Sequence, residues 1–442
     1  MPPARRIVLT TFGSYGDINP FLGLARGLKA RGHEPLLATS AVYRADAERA
    51  GVAFHAVRPD VDPGDRALVA RIMDARRGTE VLLRELLVPR VDEAFEDLMD
   101  AVRGADVLVT HPVTFAGPVV AAATGMPWAS AVLAPMSFFS PSDLPVFPPA
   151  PWLKRLERVP GAATLLVRLV QSVTRGWMEP VRALRRRLGL PPGGDPLYGG
   201  QHSPALVLAM YSRLLGAPQP DWPPNVRITG AIPYNGPDEA ALPPELEAFL
   251  QAGEPPVAFT LGSAATAAAG AFYEESIAAA RHAGRRAVLL VGRHPENRPR
   301  GPVGDDVLVV EHAPHVALLP RCAATVHQGG VGTLHQALRA GRPMLVVPFA
   351  HDQPDNAYRA ARLGVARVIA PARYRGATAG AALRRLLEDA VTVARAREAG
   401  SAVRGEDGVA AACDAIEALP AGDWVARRDG ATLRVDTLRG PA

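Results

Sequence analysis

Short apolar runs alternate with amphipathic stretches along nearly the whole chain, and this alternation leaves few folds open. In the first half the runs are "RIVLTTF", "EPLLATS", "VAFHAV", "VLVTH", "PWASAVL", "ALVLAM" and "VRITG"; in the second they are "PVAFTLG", "AVLLVG", "VLVVEH", "ATVHQG" and "MLVVPF". They are apolar throughout rather than at every second residue, as strands buried on both faces of a parallel sheet require. Helical patterns between them, such as residues 20–31 and 42–50, complete βαβ units. Two such series predict an α/β protein of two doubly wound, Rossmann-like domains with parallel sheets facing a cleft. The 442 residues also exceed what one core usually spans. A stretch rich in proline, glycine and acid, "AIPYNGPDEAALPPELEAFLQAGEPP" (residues 231–256), separates the series and leads into a short helix. The boundary is expected near residue 235, giving domains 1–235 and 236–442.

Charge and cysteine content narrow the function. The formal net charge is +5, with Lys29 and Lys154 the only lysines. The arginines are scattered rather than stacked in a stripe, so nucleic acid is not an expected partner. Cys322 and Cys413 are too few for a disulfide framework or a metal site, which suits a cytoplasmic protein. Residues 112–142 carry no charged side chain and are long enough to cross a bilayer. Pro112, Pro118, Pro127, Pro135 and Pro141 would break a spanning helix, so a buried helix, a turn at "TGMP" and a buried strand are expected instead. The aromatic and proline-rich stretch 135–160 reads as a loop lining a pocket or covering a core. The amphipathic run "AATLLVRLVQSVTRGWM" (residues 162–178) reads as a helix bordering that pocket or as a peripheral membrane contact.

The chemistry concentrates in residues 311–356. The strand "AATVH" runs into "QGGVGT" and then the helix "LHQALRAG". Glycines there let the backbone approach a ligand, and free amides at a helix N-terminus attract an anion. His327 and Thr333 bracket the turn and can donate to phosphate oxygens. The later strand "MLVVPF" ends at His351, Asp352 and Gln353. The carboxyl ends of parallel strands open onto one crevice, and a carboxylate beside a carboxamide suits vicinal hydroxyls of a sugar. Together these features suggest a nucleotide diphosphate linked to a sugar. Near the N-terminus, "FGSYGDINPF" (residues 12–21) is a glycine-bearing turn in which Gly13 and Ser14 bring the backbone close to a ligand and Asp17 is presented. Asp17 reads either as a helix-start residue satisfying amides or as a base. "DVD" (residues 60–62) reads as a solvated turn rather than a metal motif.

"HQGGVGT" followed by "PFAHDQPDN" resembles the donor-binding signature of nucleotide-sugar glycosyltransferases with the two-domain GT-B fold, of the group that glycosylates small lipophilic molecules. "GSYGDINPFLGLARGLKARGH" is similar to the N-terminal motif of sterol glucosyltransferases, glycopeptide-antibiotic glycosyltransferases and the rhamnosyltransferase that makes rhamnolipids, and "PQPDWPPNVRITG" is similar to the first and last of these. The resemblance covers nearly the whole chain. It implies an inverting, metal-independent transfer from a UDP- or dTDP-sugar co-substrate, with no cofactor, to a hydroxyl of a hydrophobic small molecule. It assigns Ser263, His327, Gly330, Gly332 and Thr333 to the diphosphate and Asp352 with Gln353 to the sugar. His312 and Ala313 fall where plant enzymes stack a tryptophan on uracil, which leaves uridine and thymidine both open. Plant members carry a histidine in the first loop, oriented by an aspartate about a hundred residues on. This chain has Asp17 there, as in bacterial glycopeptide-type members, and His111 falls where the partner aspartate would stand. The resemblance implies Asp17 as base and raises two readings of His111: the partner of Asp17 in a swapped pair, or a strand-end histidine bonded to backbone. The rival readings are an epimerase of the same fold and a catalytically silent auxiliary partner. A dinucleotide oxidoreductase is set aside, because no G-x-G-x-x-G follows the first strand. Monomer and homodimer both remain open.

Overall fold

The computed structural model describes residues 3–62, 64–234, 236, 241–420, 424–429 and 432–437. The apolar runs form two parallel sheets. The first holds β1 (Arg6–Thr10), β2 (Glu34–Thr39), β3 (Ala53–Ala56), β4 (Val107–Thr110), β5 (Trp128–Val132), β6 (Val207–Ala209) and β7 (Val226–Ile228). The second holds β8 (Val257–Thr260), β9 (Ala287–Leu290), β10 (Val307–Val310), β11 (Ala324–His327), β12 (Met344–Val346) and β13 (Ala366–Val368). Their orders are β3-β2-β1-β4-β5-β6-β7 and β10-β9-β8-β11-β12-β13. Each sheet reverses direction once, between β1 and β4 and between β8 and β11. Ligand crevices in open α/β sheets form at such points, outside the carboxyl ends of the strands. At these carboxyl ends, Asp17 lies in the first turn of the helix after β1, His111 and Ser263 follow β4 and β8, and His327 ends β11.

Residues 112–142 form the expected helix (Ala116–Thr124), turn and strand β5, and among the described residues no helix is long and apolar enough to cross a membrane. The first helix departs from expectation: it spans Tyr15–Ala30, with Pro20 inside it rather than at its start. Ser14 and Asp17 form a capping box that begins the helix a turn early. Residues 66–90, which show no clear period, form a helix at Arg66–Ile72 and a π-helical stretch at Val81–Leu87. This segment reaches the second half: Met73 is buried in the core under β8 and β9, Arg66 pairs with Glu296, and Thr79 Oγ1 lies 3.3 Å from His351 Nδ1.

The chain end returns to the first half. The helix Gly408–Glu417 packs on the first helix, with Ala412, Cys413 and Ile416 in the core beneath β1. Arg31 bonds Asp414 at 2.5 Å and Glu417 at 3.1 Å, and His33 contacts Glu417 at 3.0 Å. The outgoing and returning segments touch: a Cβ on Gly408 would lie 2.4 Å from the Ala231 carbonyl, and one on Gly230 would lie 3.0 Å from Glu406 Cβ. The boundary expected at residue 235 lies outside the described residues. The backbone at the chain end forms an antiparallel hairpin, Trp424–Asp429 with Thr432–Thr437, against the helix Ala116–Thr124.

A buried ionic cluster ties the 140–158 segment to the helix Gln353–Arg362. Arg359 bonds Asp143 at 2.5 Å and Asp355 at 2.6 Å, all three being at least nine-tenths buried. Lys154 adds a contact to Asp143 at 3.3 Å, and Asp355 accepts from the Val146 amide at 2.9 Å. Removing one member leaves an uncompensated buried charge, which costs far more than the net worth of the pair. Asp355→Ala should therefore lower the stability by roughly 3–5 kcal/mol in denaturant unfolding. Arg362→Ala, removing a half-exposed side chain 3.8 Å from Asp143, should leave the midpoint unchanged.

Candidate active site

Asp17 is both the helix-start residue and the residue presented to the cleft. Its Oδ2 accepts from the Ser14 amide at 2.8 Å, completing the capping box, and this anchors the carboxylate. Gly13 makes the arrangement possible. It holds a positive φ of 138°, and a Cβ there would sit 2.2 Å from Asp17 Oδ2. Tyr43 Oη donates to the Gly13 carbonyl at 2.8 Å and fixes the turn from the other side. Oδ1 is left toward the cleft, 3.7 Å from His111 Nε2. That is close enough for electrostatic contact but longer than a hydrogen bond. The structure thus brings the expected pair together without joining it. Burial holds His111 neutral, its pKa pushed down to about 3, and Nδ1 has no partner among the described residues.

The donor side is built from the turn after β11. His327 is fully buried; its Nδ1 accepts from the Gly329 amide at 3.1 Å. Burial depresses its pKa to about 3, with His315 nearby adding to the effect. A neutral ring whose Nδ1 accepts carries its proton on Nε2, and that buried nitrogen has no partner. Gly330 begins the helix Val331–Ala340 with no side-chain cap, so amides of its first turn stay available. Thr333 is buried beside Gly262, whose φ of 59° and close contact with Gln328 exclude a side chain. Ser263 follows in an exposed turn.

Asp352 precedes the helix Gln353–Arg362, and its Oδ2 accepts from Asn356 Nδ2 at 2.7 Å. Burial raises its pKa to about 6. Gln353 is more committed than the sequence suggests: its Oε1 accepts from the Phe349 and Ala350 amides at 2.9 Å and 3.3 Å. Only its amino group remains for a ligand. His312 is exposed at the cleft mouth, whereas Ala313 is wholly buried in the second core and can offer a ligand only its backbone. Two residues missed by sequence reading belong here. Asn356 bonds both the Gly329 carbonyl and Asp352, and Gln328 packs between Gly262 and Gly330. Gln328 Oε1 and Asn356 Oδ1, like His327 Nε2, are buried without partners among the described residues. Unsatisfied buried polar atoms are rare in folded proteins, and three around one turn mark a place for a polar ligand. Asp60 accepts from the Ser40 hydroxyl and the Ala41 amide after β2, and Asp62 accepts from the Gly64 amide within its own turn; both are exposed, as the solvated reading of "DVD" expects.

The two sides meet. A Cβ on Gly332 would lie 3.5 Å from Gly16 Cα, so the N-termini of the first helix and of Val331–Ala340 face each other. Asp17 and Asp352 sit across this junction and feel each other. Although 31% of the Asp17 side chain is exposed to the cleft, burial first and the Asp352 charge second raise its pKa to about 7. Beside it, Phe12, Val57, Leu87, Val91, Val113 and Phe115 enclose an apolar recess of about 30 Å³. This is well below the roughly 300 Å³ at which small-molecule pockets begin. A larger cavity of about 450 Å³ shares Phe115 but runs along the outer side of Ala116–Thr124, toward Trp128 and Arg185, and holds none of these site residues.

Two parallel-sheet α/β domains facing each other are the GT-B architecture, and comparison with known proteins gives the class of enzyme. Residues 7–101 match the glycosyltransferase family 28 N-terminal domain, and residues 291–413 match the erythromycin biosynthesis protein CIII-like C-terminal domain. O-mycaminosyltylonolide 6-deoxyallosyltransferase of Streptomyces fradiae is 35% identical over 426 residues, covering 93% of this chain and 97% of that protein. The glycosyltransferase SnogD of Streptomyces nogalater superposes with a TM-score of 0.65 at 26% identity, over 94% of this chain and 99% of that one. SsfS6 of Streptomyces sp. SF2575, solved with thymidine diphosphate, has the same fold with a TM-score of 0.64 at 21% identity, over 93% and 99% of the two chains. The chain belongs to the GT-B glycosyltransferases of the natural-product type.

The raised Asp17 pKa has a stability consequence. Between about pH 4 and 7 the folded protein holds a proton that the unfolded chain has released, so this site's contribution falls as pH rises through that window and is flat above it. Asp17→Asn, which mimics the protonated form, should raise the unfolding midpoint relative to wild type at pH 8 and barely change it at pH 4. Gly13→Ala should displace the Asp17 carboxylate; a folded protein with transfer reduced at least tenfold is the expected result.

Proposed function

We propose that the protein moves a hexose or deoxyhexose from a UDP- or dTDP-sugar to a hydroxyl of an apolar small molecule, with inversion at the anomeric carbon and Asp17 as general base. The observation that carries this reading is the placement of Asp17 Oδ1 opposite an uncapped helix N-terminus, with Asp352 between them electrostatically. In the proposed step the acceptor hydroxyl attacks the anomeric carbon and its proton passes to Oδ1. The bond from that carbon to the diphosphate breaks, and the leaving oxygen takes the electron pair. First-turn amides at Gly332 and Thr333 with His327 Nε2–H would hold the developing charge. Asp352, oriented by Asn356, and the Gln353 amino group would hold sugar hydroxyls, and Ser263 would reach the phosphates. His312 and the Ala313 backbone would meet the base. The thymidine diphosphate bound by SsfS6 supports a dTDP donor, and the apolar recess at Phe12 and Phe115 supports a hydrophobic acceptor. This reading needs no resident cofactor or metal. Two buried free thiols suit a cytoplasmic enzyme. A base pKa near 7 is well matched to neutral pH, since a useful base must be both ionised and able to hold the proton. It also favours transfer over a silent auxiliary role.

A thermal-shift panel of UDP, dTDP and their sugars tests the donor half; if none stabilises the protein, the reading fails. Asp17→Asn should keep that stabilisation and lower turnover by about 10²–10⁴-fold. In the wild type, kcat/KM for the acceptor should rise with pH to a plateau, with its midpoint near 7. His111→Ala should cut turnover sharply and move that midpoint. Near-normal turnover with an unmoved profile would remove His111 from the mechanism.

A further inference from the structure

The described residues leave nine large hydrophobic side chains exposed, and five of them, Trp152, Val159, Leu165, Leu169 and Val173, lie within one stretch of the first half. This is a patch rather than scatter, and patches mark interaction sites. Leu165, Leu169 and Val173 recur every fourth residue on the helix Ala162–Thr174, so they form a single outward stripe, exposed by 70%, 58% and 66%. The opposite face, Ala163 and Val167, packs on Leu144. Trp152, 66% exposed, stands on the preceding 3-10 helix Pro151–Arg158, which contacts this helix.

Charge around the stripe names its occupant. Arg155, Arg158, Arg168 and Arg175 are exposed, and none has an ion pair among the described residues. The only exposed acid between residues 151 and 175 is Glu157, which pairs with Lys154 at 2.9 Å. A second copy of the chain seated by two-fold symmetry would press the same four arginines together with no free acid to answer them. An apolar stripe flanked by unpaired arginines is instead the make-up of a surface that lies in the interface of an anionic bilayer.

We propose that the stripe Trp152–Leu165–Leu169–Val173, with these arginines, docks the protein onto anionic membrane surfaces. The leucines and tryptophan enter the acyl boundary, and the guanidinium groups stay among the lipid phosphates. Leu144 under this helix adjoins Asp143, which Arg359 ties to the second half, so the docked face is fixed to the body of the protein. Resting on the acceptor reading above, the bilayer would be the phase from which an apolar acceptor is drawn.

Vesicle flotation of the full chain tests this. Binding is expected to vesicles of phosphatidylcholine with phosphatidylglycerol, weakening as salt rises, and much less to phosphatidylcholine alone. Leu165→Ser with Leu169→Ser should lower partitioning by about tenfold or more. Arg168→Gln with Arg175→Gln should lower it by about fivefold per arginine and flatten the salt dependence. All four side chains are exposed, so unchanged thermal unfolding of the variants serves as the folding control. Absence of binding to the anionic vesicles, binding indifferent to the leucine pair, or a solution dimer that the leucine variant dissociates would each overturn the proposal. Flotation needs neither donor nor acceptor, so its failure and the failure of the transfer reading are told apart.

Discussion

Two helix N-termini meet head to head at Gly16 and Gly332, and the site is organised around that approach. Each end carries partial positive charge from its unsatisfied amides, so bringing two together is unfavourable unless negative charge lies between them. The protein supplies part of it: Asp17 stands in the first turn of one helix, and Asp352 lies close enough to the other to be stabilised by the Val331 amide. Burial first, and the neighbouring Asp352 charge second, then push the Asp17 pKa up to about 7. A bound diphosphate would relieve the repulsion of the helix ends while adding to that of the acids.

The sheets and the cradle were legible because their signals are local. Unbroken runs such as "VLVT" need burial on both faces, and "HQGGVGT" needs glycine where backbone crowds Gln328 and Val346. The first helix misled at its start because Pro20 looked like a first-turn residue, while the capping signal was a serine and an aspartate three apart, not the more familiar serine and glutamate. Residues 66–90 were missed because their apolar positions serve two neighbours: Met73 is buried under the second sheet and Leu83 under the first. No single periodicity survives that division of labour.

The finer site chemistry was legible only in part for a related reason. A sequence gives a residue's repertoire but not how much of it is already spent. Gln353 has one of its two functions taken by the Phe349 and Ala350 amides, and Ala313 has its methyl in the core. Asn356 and Gln328 looked like ordinary polar residues until their buried, unpartnered oxygens appeared beside His327. His111 was placed correctly next to Asp17, yet the distance of 3.7 Å is a property of the fold that no spacing reveals.

The contact between the outgoing and returning chain carries one more consequence. Gly230 and Ala231 lie against Glu406 and Gly408, and Glu406 also accepts from Ser212 Oγ at 2.7 Å. The two crossings between the halves therefore lie side by side, and the halves are joined along one seam. The ionic clasp of Arg359 on Asp143 fastens first-half chain to second-half helix at another place, and Val132, Val207 and Tyr211 share one core with Ala258 and Val288. The halves are thus held by packing and by charge as well as by the chain itself.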